Sequence, residues 1–125
     1  AVGDDEEQRQ GRAPPGGASA IAAARSRGLN RLVLAARLVE RRALRYTPAG
    51  LPALDFGLKH ESQLSEDGQP RKVALQLRAV AIGRIAEPLT ALQLGSEGQF
   101  AGFLAAARNG RGLLFHVTEF APAIH

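Results

Sequence analysis

From Asn30 onward, apolar and polar residues alternate with a period of two, the pattern of strands with one face in a core. In 31–39, Leu32, Leu34, Ala36 and Leu38 share one face, and Arg31, Val33, Ala35 and Arg37 the other. Helix competes for 29–45, because Leu, Ala, Arg and Glu all favour it; the alternating runs that follow decide for a strand. Tyr46-Thr47-Pro48-Ala49-Gly50-Leu51-Pro52 is a turn bent by Pro and Gly, with Tyr46 in the loop. A second run sets Leu54, Phe56, Leu58 and His60 against Asp55, Gly57, Lys59 and Glu61. The polar stretch 62–70 reads as a connection with a hairpin signal at Asp67-Gly68. In the third run Val73, Leu75, Leu77 and Ala79 alternate with Lys72, Ala74, Gln76 and Arg78, and the run continues into Val80 and Ile82. Residues 83–92 contain Pro88 and alternate poorly, which predicts a short helix or an irregular crossover. A fourth strand sets Phe100, Gly102 and Leu104 against Gln99, Ala101 and Phe103. Asn109-Gly110-Arg111-Gly112 then turns the chain into a fifth strand over 113–120, with Leu113, Phe115 and Val117 opposed to Leu114, His116, Thr118 and Phe120.

Five short strands with a break between the third and fourth follow the order of an OB-fold. The predicted class is therefore all-β, a five-stranded OB-fold barrel with a disordered N-terminal tail. Residues 1–29 are dominated by Ala, Gly, Pro and charge, with only Val2, Ile21 and Leu29 as large aliphatics. So little apolar surface cannot offset chain entropy, and the segment is expected to be a disordered extension, produced by a misplaced start site. The Ala-rich 18–25 suits a short helix, but helices of that length are marginal alone. Asp4, Asp5, Glu6 and Glu7 at the start fit neither a signal nor a transit peptide. The expected division is an extension over 1–29, the barrel over 30–121 and a short tail over 122–125.

Composition narrows the function. The 125 residues include no Cys, which removes disulfide scaffolds, thiol nucleophiles and thiolate metal sites. No apolar run approaches the ~18–20 residues of a membrane span. His60 and His116 fall in separate strands and His125 is terminal, so no metal-ligand spacing arises. Asp55 and Glu61 lie on one strand face beside Lys59 without the enclosed cleft that paired acid–base carboxylates need. The serines lack a nucleophile elbow. No catalytic residue, metal or cofactor is expected.

The charge is more informative. Sixteen Lys and Arg against twelve Asp and Glu give a net charge of +4, which suits an acidic partner. The excess lies in 30–120, in groups at Arg37/Arg41/Arg42/Arg45, Arg71/Lys72/Arg78 and Arg108/Arg111. On an OB barrel these fall on the first inter-strand loop, the third strand and the last hairpin, around the face that binds oligonucleotides. Phosphates neutralised there give salt-dependent affinity. The candidate contacts are Arg45, Tyr46, Lys59, Arg71, Lys72, Arg78, Arg108 and Arg111, with Tyr46 the best stacking ring; Phe56, Phe100 and Phe115 fit the core, and Phe103 and Phe120 fit either place.

Several stretches carry a likeness: NRLVLAARLVE, RYTPAGLPALDFGLKHES, EDGQPRKVALQLRAVAIG, GQFAGFLA and FHVTEF. Together they resemble the bacterial primosomal replication protein N (PriB) family, relatives of the single-stranded DNA-binding protein SSB. The most specific elements are Asn30-Arg31-Leu32-Val33-Leu34, the turn from Thr47 to Pro52, and Phe56-x-Leu58-x-His60. The resemblance implies a cytoplasmic OB-fold homodimer that binds single-stranded DNA and has no catalytic activity. It also implies partnership with the helicase PriA and the loading factor DnaT in reloading the replicative helicase at stalled forks. The dimer is expected to form through the first strand, at Leu32, Val33, Leu34 and Ala35. Family DNA contacts carry over to Arg45 and, on a shorter hairpin, to Arg108 and Arg111. This chain aligns Ala74 where better-known members have tryptophan, and Glu61 where they have arginine. Those two changes imply affinity weaker by ~2–4 kcal/mol if both contacts matter. Two other readings stay open: a generic SSB-like coat, which the ending Ala121-Pro122-Ala123-Ile124-His125 speaks against for want of an acidic tail, and an OB-fold protein-interaction module with little DNA affinity.

Overall fold

The computed structural model describes residues 28–123, so the expectations for 1–27 and for 124–125 lie outside the described residues. From Arg31 the chain forms one compact unit of six strands and one helix. The strands are β1 (Leu32–Arg41), β2 (Arg45–Tyr46), β3 (Pro52–Glu66), β4 (Gln69–Ile82), β5 (Glu97–Ala106) and β6 (Leu113–Pro122), and α1 (Ala86–Thr90) lies between β4 and β5.

Five of the strands close a barrel. β1 pairs antiparallel with β5 from Leu32↔Gly102 to Arg37↔Glu97, and with β3 from Arg37↔Lys59 to Arg41↔Phe56. The register shifts between Leu38 and Glu40, so the extra residue Val39 bends β1 from one partner to the other. β3 and β4 run antiparallel from Ala53↔Ile82 to Glu66↔Gln69. A parallel pairing of β4 with β6 at Ala79↔Phe115 and Val80↔His116, followed by β5–β6, completes the ring. This is the expected OB-fold barrel. The helix alternative for 29–45 gives way to β1, whose backbone pairs with β5 and β3 while Ala36 and Leu38 enter the core.

Period-two burial explains the core. Leu38, Leu54, Leu58, Phe100, Phe115 and Val117 are fully buried, and Ala86 and Leu89 of α1 join the same cluster. Phe100 is central, its ring 6.1 Å from Phe56 and 4.8 Å from Phe120. Gly98 makes room for the last of these: a Cβ there would stand 2.6 Å from the Phe120 ring and 2.5 Å from the Ala121 carbonyl.

Three local expectations are corrected. Residues 62–70 do not form a loop; β3 and β4 continue as a two-stranded arm to a turn at Asp67 (φ 50°) and Gly68 (φ 76°). Cross-strand backbone hydrogen bonds need no apolar side chains, so a polar arm leaves no alternating trace. Tyr46 stands in the short strand β2, opposite Pro52, instead of in a loop. Phe120 packs inward because Thr118 is an extra residue between Val117↔Gly102 and Glu119↔Ala101, reversing the alternation. No helix among the described residues is long and apolar enough to cross a membrane.

Candidate nucleic-acid interface

Strand alternation sorts the basic candidates. Phe56, Leu58 and their β4 partners Ala79 and Leu77 face the core. The intervening pairs therefore face outward: Gly57↔Arg78, Lys59↔Gln76, Glu61↔Ala74 and Gln63↔Lys72. Lys59, Lys72 and Arg78 thus share the outer surface of the β3–β4 ribbon. Arg71, the neighbour of Lys72, stands opposite Leu64 on the reverse face and bonds Glu66 at 3.2 Å. Structure thus separates two bases adjacent in sequence. Glu61 and Ala74 oppose each other on one rung.

A basic cluster forms around Asp55. Arg45 donates to its carboxylate from Nε at 2.6 Å and from Nη2 at 3.1 Å. The Arg42 amide donates to the Asp55 carbonyl at 2.9 Å. The Arg45 hydrogen bonds hold the Asp55 carboxyl below its ordinary value; partial burial opposes this, and the charges of Arg45, Arg42 and Arg78 add to it. The Arg45 guanidinium is raised in turn by the same bond and charge. Arg42, Arg78, Asp55, Glu40 and Leu114 line one small cleft beside Gly57. Arg42 is the residue that sequence reasoning left out of the site, although its place in the run Arg41-Arg42-x-x-Arg45 was a signal. Tyr46 follows directly, two-thirds exposed.

The last hairpin is held by its own turn. Ala107 donates to the Gly112 carbonyl, Gly110 to that of Ala107, and the Arg111 amide to Asn109 Oδ1 at 2.8 Å. Arg108 and Arg111 are exposed and pair with no carboxylate among the described residues. Because Ala79 stands beside Phe115, Arg78 neighbours Leu114, and this hairpin begins two residues beyond, at Gly112. Lys59 lies apart from this group. It approaches Glu61 at 3.7 Å and, with Arg37, Glu97 and Ala35, lines a groove of about 550 Å³ between β1 and the β3 ribbon.

That groove follows an open strand edge. Leu32 and Leu34 are half-buried toward the core, whereas Val33 and Ala35 are exposed. The β1–β3 ladder starts only at Arg37. Beyond it, His60 Nδ1 bonds the Ala35 carbonyl at 2.6 Å while its Nε2 meets Ser62 Oγ at 2.8 Å. No cluster of three or more His, Cys, Asp or Glu that could hold a metal ion occurs among the described residues.

Comparisons with known proteins agree with this fold. Residues 30–119 match a family described as another single-strand binding protein family. Replication restart protein PriB of Bordetella pertussis is 52% identical over 80 residues, 64% of this chain and 75% of that protein. The structure of PriB from Ralstonia solanacearum superposes with a TM-score of 0.69 at 35% identity, covering 76% of this chain and 99% of that one. Wild-type single-stranded DNA binding protein from Thermus aquaticus gives a TM-score of 0.61 at 29% identity, covering 77% of this chain and 50% of that one. The chain therefore belongs to the PriB family of SSB-related OB-fold proteins.

Proposed function

We propose that this protein is a single-stranded DNA-binding accessory factor of replication restart, acting by binding alone and without a catalytic step. The carrying observation is the gathering of Arg42, Arg45 and Arg78 around Asp55, with Arg108 and Arg111 on the hairpin that follows Leu114. Guanidinium groups on exposed strands and a turn suit a flexible phosphate backbone better than a small molecule, for which the adjoining cleft is too small. Lys72 and Tyr46 extend the same contact, whereas Lys59 contributes from beside the β1 groove and Arg71 from the reverse face of the arm. The open edge of β1, with Val33 and Ala35 exposed beside Leu32 and Leu34, is the homodimer contact in this reading. The cellular role follows the family: steadying PriA on DNA and helping recruit DnaT.

Fluorescence anisotropy of a labelled ~30-nucleotide single strand, at two salt concentrations and with or without PriA, tests this reading. The expected result is salt-sensitive binding by the protein alone and a tighter PriA–DNA complex in its presence. Silence alone with a tighter PriA complex would identify a protein-interaction module instead. Silence in both arms would overturn the proposal.

A further inference from the structure

The outward pairs of the β3–β4 ribbon, Gly57↔Arg78, Lys59↔Gln76, Glu61↔Ala74 and Gln63↔Lys72, carry no aromatic ring. An aromatic surface does exist one strand pair away. Phe103 on β5 pairs in register with His116 on β6, and the two rings stack face to face, with centroids 4.8 Å apart and planes 7° from parallel. Phe103 is 39% exposed, whereas Phe56, Phe100 and Phe115 are sealed in the core. We infer that Phe103 and His116 form a stacking platform for an unpaired nucleobase, carrying the single strand from the hairpin arginines across the β5–β6 surface. The inference rests on the DNA-binding reading above and assigns it a second set of contacts.

Three features support it. Beyond the inward-facing rung Leu104↔Phe115, the next rung on the same face toward the hairpin is Ala105↔Leu114. Small residues on β5 leave the Phe103 ring standing clear, and Phe103 lies only ~10 Å along the strand from the turn that carries Arg108 and Arg111. Sideways, Val80 neighbours His116 and Arg78 neighbours Leu114 across the parallel pairing, so the platform adjoins the Asp55 cluster. The charge around it also suits a phosphate backbone: the one carboxylate on β6, Glu119, is occupied by Arg31 at 3.4 Å, and the one on β5, Glu97, approaches Arg37 at 3.9 Å. The outer ring face of such a stacked pair is a flat, sequence-tolerant surface of the kind on which splayed bases stack.

Anisotropy with a labelled ~30-nucleotide oligothymidylate, and with an abasic strand of equal length and charge, separates stacking from ionic contact. Phe103→Ala is expected to weaken oligothymidylate binding at least about fivefold, with an unchanged salt slope and no effect on the abasic strand. Phe103→Leu keeps an apolar residue on the strand, so the same loss there excludes misfolding as its cause. Wild-type affinity in Phe103→Leu would overturn the platform while leaving the DNA-binding reading intact. An equal loss on the abasic strand would overturn it as well. Absence of binding by the wild-type protein at low salt would overturn both.

Discussion

Arg45 grips Asp55 through two donors, Nε at 2.6 Å and Nη2 at 3.1 Å, and so ties the two-residue strand β2 to β3 next to its backbone pair Arg45↔Ala53. The grip has two consequences for DNA binding. It orients Arg45 and leaves Nη1 for a phosphate, and it keeps a carboxylate among Arg42, Arg45 and Arg78. Asp55→Asn removes that negative charge. Single-strand affinity at moderate salt should rise about two- to fivefold, read by anisotropy; unchanged or weaker binding would mean that the fixed orientation of Arg45 matters more than its free charge.

The same pair fixes a pH dependence. Asp55 is depressed below its ordinary value of 3.8 by the Arg45 bond first and by neighbouring positive charges. A carboxyl depressed in the folded state contributes stability that is present above its unfolded pKa and lost as pH falls through the folded value. Thermal melts of the wild type and Asp55→Asn should therefore differ by a constant small amount from neutral pH to about 4 and converge below it. The amount is small because the pair is partly exposed. A difference that opens on acidification would contradict the assignment.

Gly102 lets β5 and β6 approach at the bulge. A Cβ there would lie 1.8 Å from the His116 carbonyl oxygen and 3.1 Å from the Thr118 amide, contacts that only backbone movement relieves. Gly102→Ala should cost about 2 kcal/mol or more and lower Tm by roughly 10 °C. Gly57→Ala is the control, since its Cβ would meet only side-chain atoms at ordinary contact distance, Glu40 Cβ at 3.4 Å, Glu40 Oε1 at 3.5 Å and Val39 Cγ2 at 3.8 Å, and should melt near the wild type. Equal Tm values for the two variants would remove the bulge from the account.

Much of this architecture is legible in the period-two pattern, because half-buried strands must alternate: Leu32 to Leu38, Leu54 to His60 and Val73 to Ala79 all keep the faces expected of them. Asp67-Gly68 is legible too, since it meets a positive-φ demand that few residues satisfy. What escaped has physical causes. A polar arm pairs through its backbone alone, so Ser62 to Pro70 reads as a loop. The extra residue Thr118 reverses the alternation and hides the inward turn of Phe120. Of the basic candidates, Arg71 and Lys72 look joined in sequence yet lie on opposite faces, while Arg42, Arg45 and Arg78 look scattered yet meet at Asp55. Such meetings depend on the pairing of β1, β2 and β4 with β3, which no local pattern encodes.

The open β1 edge makes a separate claim about assembly. Val33 is 54% exposed on a strand whose ladder to β3 begins only at Arg37. A charge there opposes pairing with a second copy. Sedimentation at micromolar concentration should give a dimer mass for the wild type and a monomer mass for Val33→Glu, with both remaining folded. A monomeric wild type would refute the β1 contact.

The central claim is that arginines on the outer barrel face and last hairpin neutralise the phosphates of a single strand. The most direct measurement is the slope of log affinity against log salt for the wild type and for Arg108→Ala/Arg111→Ala. Each phosphate contact on a single strand contributes about 0.7 to that slope, so the double variant should be shallower by about 1.4. A wild-type slope near zero, or one that the double variant leaves unchanged, would contradict the account.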